Sequence, residues 1–253
     1  MEHRKVIGDT FATWGKTRAA WELIRDRRLW TGMHHYGWVQ KVLLGVAMLL
    51  SFSFLGMVSG WMGEWFGSGT LRGFFSGVSH FSSKLFEEGY HSFTSGFMKY
   101  FLLLLVEVLI FHFMQRALQE VEGTPLRTDF QTFLNAELRM LQVVVRTWAM
   151  ELVATVLVSI FFGLITPISF LKPLVTFVVQ CYFFGLVIMD NYNEQFGLNI
   201  KQSLAYSQQF KGIAFGLGFI LYLFMLIPVV GVIAGTILVS VTAVLVMEKP
   251  GDV

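Results

Sequence analysis

The chain is poor in the residues from which disulfide frameworks, metal centres and soluble surfaces are built. Its single cysteine, Cys181, allows neither an internal disulfide nor a cysteine-based zinc site within one chain. Only 14% of the 253 residues are charged, whereas 55% are hydrophobic. Soluble domains carry about 25% charged residues. The composition therefore excludes an ordinary soluble domain and indicates an integral membrane protein, with Cys181 as a core residue.

Short motifs of common enzymes are also missing. The six histidines do not form the His-Glu-x-x-His pattern of zinc hydrolases, and the chain has no Gly-x-Ser-x-Gly elbow or phosphate-binding loop. The formal net charge is only +2, and the basic residues are dispersed, unlike those of a nucleic-acid interface. We therefore expect no enzymatic activity, no metal or other cofactor, and no nucleic-acid partner.

Long uncharged runs dominate what is present. No charged residue lies between Lys211 and Glu248, and the run is interrupted only by a turn around Pro228 and Gly231. This pattern predicts a helical hairpin over 212–247. Each arm would reach roughly 24 Å, against a hydrocarbon core of about 30 Å, so the arms either barely cross or stop short. The tip offers no polar side chain, which favours its burial in protein or lipid.

A second proline-centred hairpin, turning at Pro167, precedes this one and has a more polar tip. An aqueous turn and a turn inside the bilayer both remain open for it. The chain is thus predicted to be an all-α, polytopic membrane protein with two long transmembrane helices and two proline-centred hairpins, crossing fully or only dipping in. Three parts are predicted: a cytoplasmic or interfacial amphipathic arm over 1–41, a single membrane domain over 42–247 and a cytoplasmic tail over 248–253. Within the membrane domain, the two spans are predicted over about 42–62 and 97–114, and the two hairpins over about 147–189 and 212–247.

Two glycine pairs, Gly212 with Gly216 and Gly231 with Gly235, have the small-xxx-small spacing that lets membrane helices approach closely. We interpret both pairs as support for tight packing within the final hairpin.

The distribution of basic residues predicts the orientation. The N-terminal arm, the 115–146 connection, the 190–211 loop and the tail hold 15 of the 19 Lys and Arg. Because Lys and Arg are retained on the cytoplasmic side, both termini are expected in the cytoplasm. The protein itself is expected in the inner (plasma) membrane of the cell.

Three charges lie within apolar segments, where an ionised group is costly unless it is paired or hydrated. Glu107 is the deepest, and an ion pair with Lys172 or Arg146 and a role in a transport pathway are both open. Glu151 is expected near the start of its helix, where it would compensate the helix dipole. Lys172 is the third of these charges.

The second half of the chain carries a series of short motifs that resembles a known family, the CysZ-like sulfate permeases grouped with the etoposide-induced membrane proteins. Asp190 and Glu194 fall on the two acidic positions of the family's Asp-Tyr-Pro-Phe-Asp pattern, with Tyr192 in place of its proline. The matching runs are Glu122-Gly123-Thr124-Pro125, Arg146-Thr147-Trp148, Ile165-Thr166-Pro167, Asp190-Asn191-Tyr192-Asn193-Glu194, Ile200-Lys201 and Met225-Leu226-Ile227-Pro228.

The resemblance implies two long membrane helices, two pairs of partly penetrating helices, a homo-oligomer, and entry of sulfate into the cytoplasm. Family members bind the anion with a Gly-Leu-Arg-Arg run, but the aligned stretch here reads Arg28-Leu29-Trp30-Thr31. Arg27 and Arg28 lie one helical turn earlier. They are candidates for anion binding, and the alternative is an ordinary cytoplasmic basic flank.

Two functions of different classes follow. The first is a permease or channel-like protein that moves a small inorganic anion, sulfate by resemblance. The second is a non-transporting membrane scaffold that binds lipid or partner proteins through its Trp-rich arm.

Overall fold

A computed structural model describes residues 2–31, 98–123, 130–164, 171–225 and 230–248, together with Gly45 and Ile227. Every regular element in these residues is helical, which confirms the predicted all-α class. The helices are α1 (Glu2–Asp26), α2 (Met98–Leu105), α3 (Glu107–Glu122), α4 (Phe130–Leu164), α5 (Lys172–Gln195), α6 (Ile200–Ser207), α7 (Lys211–Met225) and α8 (Val230–Met247), with a 3₁₀ turn at Gln208–Phe210 between α6 and α7.

Four stretches within the described residues are long and apolar enough to cross a bilayer: Asn135–Leu164, Lys172–Gln195, Ile200–Met225 and Val230–Met247. The third combines α6, the 3₁₀ turn and α7. The chain is therefore a multi-pass membrane protein, as its composition predicted.

The second predicted span differs from the observed helices. It was expected as one helix over 97–114, but the structure breaks it at Val106, where φ is −100° and ψ is 9°, and continues the chain as α3 to Glu122. Helix α3 ends at Gly123, whose φ of +69° lies in the left-handed region that glycine adopts without strain. The first predicted span, over 42–62, lies outside the described residues apart from Gly45.

The first predicted hairpin has a much longer leading arm than expected. Helix α4 begins at Phe130, not near residue 147, and its 35 residues reach roughly 52 Å. Its N-terminal part was interpreted from sequence as a polar connection. Pro167, which was predicted to form the turn, lies outside the described residues, so the depth of this hairpin stays a prediction.

The crossing of α5 and α7 forms the centre of the fold. A Cβ added to Gly218 would lie 1.8 Å from the carbonyl oxygen of Cys181, and one added to Gly185 would lie 1.8 Å from that of Ala214. Only glycine permits such close backbones. The residue pairing runs in opposite directions, so α5 and α7 are antiparallel. Helix α4 packs on α5, α8 packs on α7, and α3 packs on α8.

Helix α1 packs along α7 and α8 as part of the helical core. The Thr10 hydroxyl donates to the carbonyl oxygen of Gly212 at 3.1 Å, and the Trp14 ring lies 5.1 Å from that of Phe219. A Cβ on Gly216 would lie 2.9 Å from the Cβ of Thr13. Because residue numbers rise together on both helices, α1 runs in the same direction as α7.

The two glycine pairs therefore serve different contacts. Gly212 and Gly216 face α1, so their expected role within the final hairpin is wrong. Gly231 and Gly235 do tighten the hairpin, because Cβ atoms there would lie 1.8 Å from the carbonyl oxygen and 2.4 Å from the Cβ of Phe224.

The tip of the final hairpin is not covered by the protein. Ile227 and Val230 are both exposed in the single chain, so the predicted burial of this tip, in lipid or in another protein chain, stays a prediction. Pro228 lies outside the described residues. Helix α7 has 15 residues and α8 has 18, which correspond to roughly 22 and 27 Å, but α7 continues a helical stretch that begins at Ile200. Both Ile200–Met225 and Val230–Met247 are long enough to cross, so whether the hairpin crosses or only dips in stays a prediction.

Candidate functional site

The two acidic positions of the family pattern meet a single arginine from α4. The Arg139 side chain donates from Nε and Nη2 to the two carboxylate oxygens of Asp190, at 3.1 and 3.0 Å. Its Nη1 donates to the carbonyl oxygen of Leu198 at 2.5 Å, and its Nε lies 3.5 Å from Oε2 of Glu194. We call Arg139, Asp190 and Glu194 the Arg139 cluster.

This cluster is largely withdrawn from water. The exposed fractions of the Arg139, Asp190 and Glu194 side chains are 17%, 10% and 19%. Asp190 and Glu194 are four residues apart on α5, so both lie on one helix face and share the same guanidinium. Arg139 was missed in the sequence. The four-residue spacing of two acids in an apolar helix was the available signal that one cation must lie nearby.

Glu107 lies close to this cluster and is fully buried, at 0% exposure. Neither of its carboxylate oxygens has a hydrogen-bond partner among the described residues. It is near enough to Glu137, Glu194 and Asp190 for their charges to interact.

Neither proposed partner of Glu107 binds it. Lys172, at the start of α5, and Arg146, on α4, are both exposed, and the structure forms no ion pair from either to Glu107. The reason is geometric: Glu107 opens α3 in the interior, whereas both cations lie on the surface. The structure thus brings Glu107 together with Asp190 and Glu194, but not with Lys172.

A set of neutral polar groups holds α6 against the end of α5. The Asn193 side chain donates to the hydroxyl oxygens of Ser203 and Ser207, both at 3.0 Å. A cavity of about 20 Å³ beside Asp190 is lined in part by Thr147 and both serines. That volume is enough for about one water molecule. The acid pattern therefore lies in a polar pocket inside an apolar helix bundle.

Glu151 does not lie near the start of its helix, as was expected, because α4 begins 21 residues before it. It is buried and accepts a short hydrogen bond from the hydroxyl of Tyr100 on α2. Dipole compensation therefore does not explain Glu151. Its position is explained by a buried contact that ties α2 to α4.

A second group of charges forms where the end of α1 meets α3. Arg27 lies 3.5 Å from Glu120, and the Arg116 guanidinium donates to the Thr31 hydroxyl and, at 2.9 Å, to Gln119. Arg27 and Arg28 are exposed and follow directly after α1. We call Arg27, Arg28 and Arg116 the basic turn.

A hydrogen bond from a side chain of α3 fixes the backbone of the basic turn. His112 Nε2 donates to the carbonyl oxygen of Leu29 at 2.9 Å, and the Leu29 side chain is buried. Arg28 has a φ of +48°, an unusual conformation for a residue other than glycine. The turn therefore presents its guanidinium groups from an ordered loop. The sequence pointed to Arg27 and Arg28 but missed Arg116, which is 85 residues from the Thr31 that it contacts.

The two groups have opposite charge balance. Around Arg139, one cation faces Asp190 and Glu194, with Glu107 and Glu137 near, so the surroundings are rich in acid. In the basic turn, Arg27 lies 3.5 Å from Glu120, Arg28 is exposed beside it, and Arg116 bonds the neutral side chains of Thr31 and Gln119. The neighbouring Asp26 is paired with Arg25 at 2.8 Å. An anion is attracted to the second group and repelled by the first.

Comparison with known protein families gives a match that covers nearly the whole chain. A family model described as sulfate transporter CysZ/etoposide-induced protein 2.4 matches residues 7–234. The chain belongs to this family. The match extends from α1 into α8, and so includes the basic turn and the Arg139 cluster of this CysZ/etoposide-induced family member. A search of curated proteins gives no match. Membership confirms the resemblance found in the sequence and supports a transport role in a membrane.

No metal centre is evident in the residues that the structure describes. In that part of the chain, no group of three or more His, Cys, Asp or Glu side chains is arranged to hold a metal ion.

Proposed function

We propose that this protein is a membrane permease that moves a small inorganic anion, with sulfate as its substrate, and that the basic turn receives the anion. Membership of the CysZ/etoposide-induced family supports this function. The observation that carries it in the structure is an ordered turn that exposes Arg27 and Arg28 and is bonded, through Thr31, by the Arg116 guanidinium of α3.

The chemistry of the turn suits a tetrahedral oxyanion. A guanidinium group donates two parallel N–H bonds to neighbouring oxygens of such an anion, which a lysine cannot do. Arg27 and Arg28 reach the surface, so they are accessible to a solute from water. The Arg139 fork, by contrast, is already occupied by Asp190 and is surrounded by acid. In this proposal it stabilises the fold and does not bind the substrate.

Uptake of radiolabelled sulfate into proteoliposomes tests this function. The wild type should exceed empty vesicles, and Arg27→Gln/Arg28→Gln should reduce uptake at low sulfate about tenfold or more, since a charge-assisted hydrogen bond contributes about 1.5–3 kcal/mol. Arg18→Gln is the control, because Arg18 is exposed on α1, the helix that precedes the turn, and pairs with Glu22. No excess uptake by folded wild-type protein would refute the permease and leave the scaffold.

The proposed orientation is that of an inner-membrane protein with both termini in the cytoplasm. The same direction of α1 and α7 supports it, because the N-terminus of α1 then lies at the end of the bundle where the basic Lys211 opens α7. Because the exposed residues at the hairpin tip, Ile227 and Val230, are apolar, the tip is proposed to end within lipid.

Cysteine labelling from outside the cell tests this topology, since the native Cys181 is buried and should stay silent. A membrane-impermeant maleimide should label Lys172→Cys, which is exposed at the start of α5, but not Val230→Cys. The exposed Val230→Cys should react once the protein is in detergent. Labelling of both variants in intact cells would show that the last hairpin crosses to water.

We also propose a homo-oligomer. Helix α4 supports it, because only 17% of its most apolar 18-residue window is buried inside the protein, against 50–67% for the other three candidate spans. Light scattering on the detergent-solubilised protein tests this, and a monomer at micromolar concentration would contradict it.

A further inference from the structure

An apolar groove of about 650 Å³ opens between α1 and the α4, α5 and α7 helices. Its size lies within the range of roughly 300–1,000 Å³ typical of small-molecule sites. From the geometry and charge of this groove, we infer that it binds one acyl chain of an anionic phospholipid, with the lipid phosphate beside Lys5 and Lys211.

The walls of the groove suit a hydrocarbon chain. They are formed by aliphatic and aromatic side chains, and few polar groups reach them. Thr10 already donates to the carbonyl oxygens of Val6 and Gly212, so it has no proton left for a ligand. Ile7 and Phe11 remain exposed at the rim. The lining residues are Val6, Ile7, Thr10, Phe11, Trp14, Ala154, Val178, Val179, Tyr182, Phe183, Lys211 and Phe215.

The length of the groove fits one leaflet. On α1 it extends from Val6 to Trp14, which is roughly 12 Å of helix. One leaflet of hydrocarbon is roughly 15 Å, half the thickness of the core. The other three walls, α4, α5 and α7, all belong to candidate spans, so the inference places the opening of the groove towards the lipid phase.

The two ends of the groove differ in charge, and this selects the headgroup. Gly212 packs on Val6, so Lys211 lies at the α1 N-terminal end of the groove, whereas Trp14 lies at the other end. Lys5 is at the same end as Lys211, with its amine 5.5 Å from the centre of the Phe210 ring. Two acids lie within about one turn of Lys5 on α1: Glu2, three residues before it, and Asp9, four residues after it. Asp9 is buried against Gly212 and does not line the groove.

Two exposed amines at the mouth and a hydrocarbon slot below them complement a lipid with a negative phosphate and no positive headgroup. A lysine near a membrane surface strengthens the binding of an anionic lipid about fivefold, so two lysines together raise the affinity about thirtyfold. A zwitterionic lipid of the same chain length has no net charge, so it lacks most of this gain in affinity. The site does not depend on anion transport.

The test is a titration of the purified full-length protein in detergent with phosphatidylglycerol or phosphatidylcholine of identical acyl chains, followed by thermal unfolding and native mass spectrometry. The wild type should retain one phosphatidylglycerol per chain and bind it about thirtyfold more tightly than phosphatidylcholine. Lys5→Gln/Lys211→Gln should remove that preference. Lys16→Gln/Lys201→Gln, which changes two exposed lysines outside the groove, should keep it.

A second pair of variants tests the slot itself. Ala154→Trp places a large ring in the groove and should abolish binding of both lipids, whereas Ala149→Trp, exposed on the same helix but outside the groove, should not. If Ala154→Trp does not fold, phosphatidylglycerol with a photoreactive acyl chain should crosslink wild-type peptides containing residues 6–14 or 178–183.

Equal affinity for the two lipids, or binding that survives Ala154→Trp, would overturn the inference. Crosslinks confined to other peptides would also overturn it. A wild type that binds neither lipid would overturn it as well.

Discussion

The Arg139 cluster offers the sharpest test of what holds the helices together. Replacing Arg139 with Met removes the hydrogen bonds to Asp190 and Leu198, and so takes the bidentate cation away from the largely buried carboxylate of Asp190. Removing one partner of a buried ion pair lowers the free energy of unfolding by about 3–5 kcal/mol, because the charge that remains is buried and uncompensated. All three side chains are less than one-fifth exposed, so solvent screening reduces this only modestly.

The assay is unfolding in detergent, monitored by circular dichroism during titration with a denaturing detergent. Arg139→Met should lower the apparent free energy of unfolding by about 3–5 kcal/mol. Asp190→Asn should cost less, about 1–3 kcal/mol, because the amide oxygen still accepts a bond and Glu194 still balances the arginine. The double variant should cost less than the sum of the two, because the lost interaction is shared.

The control is an ion pair of the same type on the surface. Arg18 and Glu22 lie 3.2 Å apart, with side chains 89% and 49% exposed. Arg18→Met should therefore change stability by less than about 1 kcal/mol. If Arg139→Met costs no more than this control, the cluster is solvated and the reasoning from burial is refuted.

Three further changes test other parts of the fold. Gly218→Ala should destabilise by about 1–3 kcal/mol or more in the same assay, since its Cβ would lie 1.8 Å from the backbone oxygen of Cys181. Gly163→Ala, with open space around it, should be neutral or stabilising. Glu107→Met removes two unsatisfied buried oxygens and should stabilise by about 1–3 kcal/mol. Burial raises the pKa of Asp9 above 3.8, so stability should fall as pH rises from 3.8 through the raised pKa, and Asp9→Asn should remove this dependence.

Each of these has a clear contrary result. Equal loss in both glycine variants would show that the close approach of α5 and α7 is not what requires glycine at residue 218. A loss of stability in Glu107→Met would show that this carboxyl has a partner outside the described residues. Parallel pH profiles of the wild type and Asp9→Asn would remove the aspartate from the explanation.

The helical class and the membrane location were predictable because both follow from local composition. Runs without charge, such as the one between Lys211 and Glu248, permit only a helix in lipid. The position of the final turn followed from Pro228 for the same reason. The family motifs also lie in sequence order, so the resemblance could be found without knowledge of any contact.

Contacts between distant residues were not predictable. Arg139 pairs with Asp190 across 51 residues, and nothing in the local pattern around either residue names the other. Glu151 was placed near a helix start because the charges of residues 137–146 were interpreted as a polar connection. In the structure Arg139 is paired and Arg146 is exposed, whereas Glu137 is half-buried with one carboxylate oxygen that has no partner among the described residues. None of the three interrupts α4.

The glycine pairs also show that the sequence does not reveal which distant helices come into contact. The spacing of Gly212 and Gly216 correctly predicts that a helix approaches closely, since it reports the absence of side chains on one face. It carries no information on which helix fills that face. The nearest candidate in sequence was the other arm of the hairpin, but α1, some 200 residues away, packs there instead.

The charge balance of the two clusters separates the permease from the scaffold more directly than the apolar segments do. A scaffold needs the Arg139 cluster to hold α4, α5 and α6 together, but it has no use for exposed guanidinium groups on an ordered turn. A permease for an anion needs both: a framework that excludes the anion from its acidic interior, and a basic entrance such as the turn formed by Arg27, Arg28 and Arg116. Removal of charge at the turn should therefore change flux and leave stability unaltered, whereas removal of Arg139 should change stability first. A protein in which both changes affect only stability is a scaffold.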